Sequence, residues 1–310
     1  MDFRIAPDSL ELADAVRQYL AGTHGTDVLR RLDAEGNRDP AIWCGLAEMG
    51  LTGLLVPEAE GGLGRSLLDA ALIARECGRA CLAEPLVDTA LVAVPWLLAR
   101  NQTDEVAAIA GGERRFPLAH RINGWVADGT GEAIASVDPL RNLAALPATD
   151  DADPLLLDLG ALMAAAQLVG LAEAMLDQAV DYAKIREQFG QPIGAFQAIK
   201  HRLADVAVAL EFVRPVLWRA ATAMDDGLSS ASLHISHAKV AATDAAYLAA
   251  ETAIQVHGAM GYTYEVDLHF WMKRAWALGG AWGSRAFHQS RVDHAVIGGA
   301  QRIGPRHTFA

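Results

Sequence analysis

The chain has 310 residues, 52% hydrophobic and 21% charged, which supplies a large buried core and excludes a disordered chain. Its 26 Lys and Arg stand against 38 Asp and Glu, a net charge of −12, the wrong sign for a polyanionic backbone, so no nucleic-acid partner is expected. Cys44, Cys77 and Cys81 form an odd, sparse set, and no basic stretch followed by an apolar one opens the chain, so the reading is a reduced, cytoplasmic protein.

Taken in order, the texture is helical, with Ala and Leu dominant and the alternation expected of strands nearly missing. Leu10, Leu12, Ala13, Val16, Tyr19 and Leu20 predict a helix over 8–21, with Asp8-Ser9 as its cap. A second helix is predicted over 42–49. The Gly-rich stretch 50–66 reads as a loop, and helices follow over 67–81 and 85–100. Between 111 and 154 turn residues mix with short apolar runs. At about 8 to 12 residues per strand and turn, this segment holds three or four strands at most.

The helical pattern then returns over 157–187, 195–226, 230–257 and 267–296, separated by FGQPIG, DDGLSS and GAMGYTYE, and reads as a four-helix bundle. The expected fold is mainly α in three parts: an N-terminal helical domain 1–110, a reduced middle β segment 111–154 and a C-terminal bundle 155–310. The longest apolar stretch, LLLDLGALMAAAQLVGLAEAML, is interrupted by Asp158 and Gln167, and no membrane span is expected.

Several small constellations read as structural. Gly61-Gly62-Leu63-Gly64 follows no strand and precedes no Lys-Ser/Thr, so it is a loop and not a phosphate cradle. Cys77 and Cys81 lie one helical turn apart with no ligand partners at zinc spacing, and His234 and His237 have no carboxylate nearby beyond the preceding turn, so no metal is expected. Trp271, Trp276 and Trp282 cluster near the C-terminus, as core or as the wall of a flat pocket.

Two segments rise above this background: 185–197, IREQFGQPIGAFQ, and 255–262, QVHGAMGY. Each sets polar side chains and glycines at a helix end, where free amides can meet a phosphate or a flat ring. With Leu46-Ala47-Glu48-Met49-Gly50-Leu51, Val56-Pro57-Glu58, Gly61-Gly62-Leu63-Gly64 and Leu203-Ala204-Asp205, they make the sequence resemble the acyl-CoA dehydrogenase family over most of its length except the middle.

The resemblance implies a helical domain, a β-domain and a four-helix bundle, with FAD as cofactor. It also implies an acyl-CoA substrate and an electron-transfer flavoprotein or similar acceptor. The Arg-x-x-Phe-Gly and Gln-x-x-Gly-x-x-Gly motifs of that family reach across a subunit interface to the neighbour's FAD. Carried over by motif, these residues are Arg186, Phe189, Gln255, Gly258 and Gly261; Ala259 stands where the family often has a second Gly. A guanidinium suits a pyrophosphate, and glycines let backbone amides approach it.

The family's general base is less easily found. Its usual Glu falls on Trp282 here, and the alternative position at the start of the first bundle helix falls on Gly160, beside Ala161 in place of a substrate-binding Arg. Tryptophan and glycine cannot take a proton. Asp158, where the family commonly keeps an acid, is a fallback base. The loop and strand motifs that hold the flavin ring are not recognisable in 111–154. The chain is therefore expected to be a base-less subunit of a heteromeric α2β2 acyl-CoA dehydrogenase resembling those of bacterial steroid degradation. Its partner would be a full-length subunit supplying the carboxylate. Two alternatives stand beside this reading: a homomeric enzyme using Asp158 or Glu173, and a helical interaction protein without FAD.

Overall fold

A computed structural model of the chain describes residues 5–36, 38–129, 131–145, 152–302 and 304. Helices open it: α1 (Pro7–Thr23), α2 (Thr26–Glu35), α3 (Pro40–Glu48), α4 (Leu67–Arg79), a π-helical stretch Val87–Ala93 running into α5 (Val94–Leu98), and α6 (Thr103–Ala110). Ser66 and Asp69 form a capping box that starts α4, and Asp225, 157 residues beyond Leu68 in the chain, accepts from Leu67 and Leu68 N–H. The sequence pattern missed α2 and α6. Both are short, and α2 buries only Leu29 and Leu32, too few positions to register a period.

The middle stretch holds β1 (Trp125–Ala127), β2 (Ala133–Ile134) and β3 (Leu143–Ala145), an antiparallel sheet in the order β1-β3-β2. Three strands fit the limit set by the segment's length; positions 130 and 146–151 lie outside the described residues.

The bundle follows as α7 (Pro154–Ile185), a hairpin of β4 (Glu187–Gln188) and β5 (Gln191–Pro192), α8 (Gln197–Asp225), α9 (Ala231–His257), α10 (Leu268–Gly280) and α11 (Arg285–Ile297). Two details differ from the sequence reading. FGQPIG is a hairpin and not a plain linker, and the helix predicted over 267–296 is broken at 281–284. Trp282 and Gly283 both take positive φ there, +56° and +97°, and Ser284 caps α11 through Phe287 N–H.

α7 is the central helix. By length and composition it could cross a membrane, yet 83% of its most apolar window is buried inside the fold. Its glycines let α4 approach: a Cβ on Gly170 would sit 1.9 Å from the Arg75 carbonyl oxygen, and one on Gly78 of α4 would sit 2.1 Å from that of Gln167. One continuous apolar core runs from α1 to α10, so the mainly α architecture stands as expected.

Candidate functional site

The residues at the ends of α7 and α9 come together at one end of the bundle. Tyr182, in the last turns of α7, stacks on His257 of α9 with ring centroids 4.3 Å apart, and its hydroxyl lies 3.7 Å from Met260 Sδ. This contact fixes the two helix ends to each other. Arg186 caps α7, its amide bonded to Tyr182 O, while Gln255 and Gly258 flank His257. Burial holds the His257 imidazole below its usual pKa, and Nδ1 donates to Ala253 O at 2.8 Å. Sequence reasoning passed over His257, whose only signal was its place inside the Gln-x-x-Gly motif.

Arg186 and Gln255 are exposed, and neither side chain has a hydrogen bond or ion pair among the described residues. Phe189 is 92% exposed and sits at φ +54° in the two-residue turn it makes with Gly190, φ +79°. Such turns select Asn-Gly or Gly-Gly, because a bulky side chain is strained at positive φ. A strained aromatic ring held out in solvent is a placement that core packing does not account for. Gly258 ends α9 at φ +63°, ψ −136°, with open space where a Cβ would be. Gly261 is different: it is buried, and a Cβ on it would meet Ile254 O at 2.8 Å, so it serves close packing. A free guanidinium, an open glycine backbone and an exposed ring suit the phosphate end of an FAD approaching from outside the chain.

The two positions at which the resemblance seeks a base also meet. The indole of Trp282 rests on α7 so closely that a Cβ on Gly160 would lie 2.1 Å from its Cδ2. Trp282 is 2% exposed. Its N–H donates to Asn123 Oδ1 at 2.7 Å, and its carbonyl accepts from His288 Nε2 at 2.8 Å. Burial pushes His288 down to about 4, so it is a neutral donor. The ring of His120, from the middle stretch, tilts against the indole at 5.9 Å.

Neither fallback carboxylate is free for proton transfer. Asp158 accepts from Ser232 Oγ and pairs with Arg291 at 3.0 Å. Glu173 is buried between Arg75 and Arg214, both at 2.8 Å, with Arg79 beside them. Both oxygens of each carboxylate are already engaged within the fold, those of Asp158 by Ser232 and Arg291 and those of Glu173 by Arg75 and Arg214. Ala161 is fully buried in the helix core.

The cleft between the small sheet and the helices is closed by charge. Asp138, fully buried, pairs with Arg274, which also donates to Leu82 O at 2.8 Å. Arg38 pairs with Asp128 at 2.7 Å, Arg115 with Glu84 at 3.0 Å, and Arg141 faces Asp88 at 3.8 Å. Burial raises the pKa of Asp88 and Glu84 against these cations. The cavity left among Arg38, Asp88, Asp128, Arg141 and Arg274 is about 30 Å³, the room of roughly one water molecule. Nothing of flavin size fits among these pairs. The phosphate end of FAD thus fits this chain, and its ring does not fit this cleft.

Comparison with known proteins gives the family and the fold. The model of the acyl-CoA dehydrogenase N-terminal domain matches residues 6–108, and that of the C-terminal domain matches residues 155–297. The acyl-CoA dehydrogenase IpdE2 of Mycobacterium tuberculosis is 33% identical over 290 residues, 85% of this chain and 89% of that protein. Among solved structures, a chain of the ChsE4-ChsE5 complex from Mycobacterium tuberculosis superposes with a TM-score of 0.84 at 21% identity, covering 98% of this chain and 100% of that one. The Tcur3481-Tcur3483 steroid ACAD gives 0.83 at 24% identity, over 95% and 99%. At those identities the structures speak for the fold alone. With two family models and a full-length relative in register, the chain belongs to the acyl-CoA dehydrogenase family, the FAD-dependent oxidoreductases of acyl-CoA thioesters.

Proposed function

We propose that this chain is the accessory subunit of a heteromeric acyl-CoA dehydrogenase, binding in trans the phosphate end of an FAD seated on a full-length partner. The observation that carries the reading is the contrast between two sites. The bundle end presents the exposed side chains of Arg186, Phe189 and Gln255 beside Gly258, Arg186 and Gln255 making no side-chain hydrogen bond or ion pair among the described residues and Phe189 only an edge contact with Phe196, whereas the base positions Gly160 and Trp282 are packed against each other.

Each residue has a definite part. The Arg186 guanidinium neutralises pyrophosphate charge, the backbone at Gly258 approaches it without a Cβ in the way, and Phe189 offers a flat face to the adenosine. Gln255 supplies an amide to hydrogen-bond that end. The Tyr182–His257 stack holds these groups at a fixed spacing. Bound FAD supplies the hydride acceptor for α,β-dehydrogenation. The α-proton goes to a carboxylate on the partner, since in this chain Asp158 and Glu173 are held by arginines.

A steroid-derived acyl-CoA is the proposed substrate class, by analogy with the Tcur3481-Tcur3483 steroid ACAD, and the ChsE4-ChsE5 complex lends the precedent of two unlike chains. Electrons would pass on to an electron-transfer flavoprotein or similar acceptor. The test is the visible spectrum and flavin-to-chain ratio of the protein purified alone and after co-expression with a full-length acyl-CoA dehydrogenase. Colourless protein alone and one flavin for each unlike pair supports the reading. Stoichiometric flavin on the chain alone overturns it.

A further inference from the structure

Trp282 does more than replace a base. Its backbone sits at φ +56°, a conformation that L residues with large side chains rarely adopt and that persists only where the surroundings over-determine it. Those surroundings are visible. Asn123 takes its N–H and His288 donates to its carbonyl. Just upstream, Lys239, fully buried on α9, donates to Leu278 O at 2.8 Å and Gly279 O at 3.1 Å, pinning the end of α10. The other Asn123 amide atom, Nδ2, is buried without a hydrogen-bond partner, so the middle stretch leaves a donor orphaned in reaching this contact.

We infer that Trp282 is an internal plug: its indole occupies the place where an acyl group would lie against this chain's own base, and its removal uncovers a closed site for a flat bicyclic aromatic. The first half rests on the proposed function, through the assignment of positions 160 and 282. The second half rests on packing alone. The floor of the site is the backbone of Gly160 in the buried central helix, and the strap that carries the indole is anchored by Lys239, Asn123 and His288. With the floor and the strap held in place, and the His120 ring alongside, the surroundings relax only in part when the indole is removed, and a cavity remains. Such cavities take up aromatic ligands of matching shape.

The test uses the full chain, with its partner if the two must be made together, and indole as the probe. Trp282→Gly also suits the positive φ, so the variant loses the ring without adding strain. Its thermal midpoint is expected to fall, then to recover by several degrees as indole is added, with saturation, while the wild type does not respond. A Trp282→Gly midpoint that indole leaves unmoved, or a wild type that responds equally, overturns the plug. Should that variant not fold, Trp282→Ala, which also removes every ring atom, takes its place in the measurement. Gly160→Ala is expected to lower the midpoint in the wild type and to cost little in the Trp282→Ala protein, which lacks the ring atoms it would meet; equal losses in both backgrounds overturn the fit. Flavin content is a separate readout: indole binding together with two flavins per unlike pair keeps the cavity and removes the proposed function, and one flavin per pair without indole binding does the reverse.

Discussion

The indole of Trp282 and the bare Cα of Gly160 are fitted to each other, with 2.1 Å between Cδ2 and the position a Cβ would take. The contact joins the loop before α11 to the central helix, and both residues are buried. Gly160→Ala is expected to destabilise the chain by about 2 kcal/mol, the usual scale for forcing a methyl into a packed core. Urea denaturation at neutral pH measures it. A loss below roughly 0.5 kcal/mol would mean that the indole moves aside freely.

Arg186→Ala is expected to leave the chain's own stability within about 0.5 kcal/mol, because an exposed side chain without partners holds nothing in place. In the co-expressed complex the same variant should lose flavin on gel filtration. Unchanged flavin content would remove Arg186 from the cofactor site.

Phe189→Asn separates stability from function at one residue. Asn tolerates the left-handed backbone of the two-residue turn, so the variant should be more stable by about 1 kcal/mol while the complex retains less flavin. A variant that gains stability and keeps its flavin would leave the strain of Phe189 without a functional reason.

His288 carries a pH dependence. Burial holds it down at about 4, against 6.5 for the free side chain. Between those values the unfolded chain binds the proton and the folded chain does not, so stability complete above pH 6.5 drains as the pH falls towards 4. A displacement of that size is worth about 3 kcal/mol. His24, also buried and held at about 4, adds a loss of the same sign. Replacing His288 with Gln should flatten the fall between pH 6.5 and 4.5 relative to the wild type, as read from urea midpoints. Equal slopes in the two proteins would count against a neutral His288.

Asp138→Asn tests the closed cleft. It leaves the Arg274 guanidinium buried without its carboxylate, a change that typically costs about 3 to 5 kcal/mol. The middle stretch should become sensitive to proteolysis before the bundle unfolds. Uniform loss across the whole chain would indicate that the sheet and the bundle melt as one unit.

Much of this was legible in the residues themselves. The long bundle helices announce themselves by period, and their observed bounds, 154–185, 197–225 and 231–257, lie within a few residues of the predicted ones. The motifs around Arg186 and Gln255 carried the family, because their glycines and polar residues sit at helix ends where local backbone geometry demands them. The sequence also indicated that neither Trp282 nor Gly160 could act as a base. What escaped was weak in local signal: α2 with two buried residues, α6 with eight residues, and a hairpin of two-residue strands.

The break at 281–284 escaped for another reason. Ala, Trp, Gly and Ser continue a helical pattern well enough, and only contacts from Asn123, Lys239 and His288 hold the chain in the left-handed turn. Likewise no spacing rule connects positions 160 and 282, or Asp138 and Arg274. Periodicity and motif determined which helices form and which residues the family resemblance assigns to a cofactor, since these depend on neighbours a few positions away. The tertiary structure alone decided that the base positions close on each other and that Asp158 and Glu173 are taken by arginines, because burial brings together side chains far apart in the chain and makes each choose a partner.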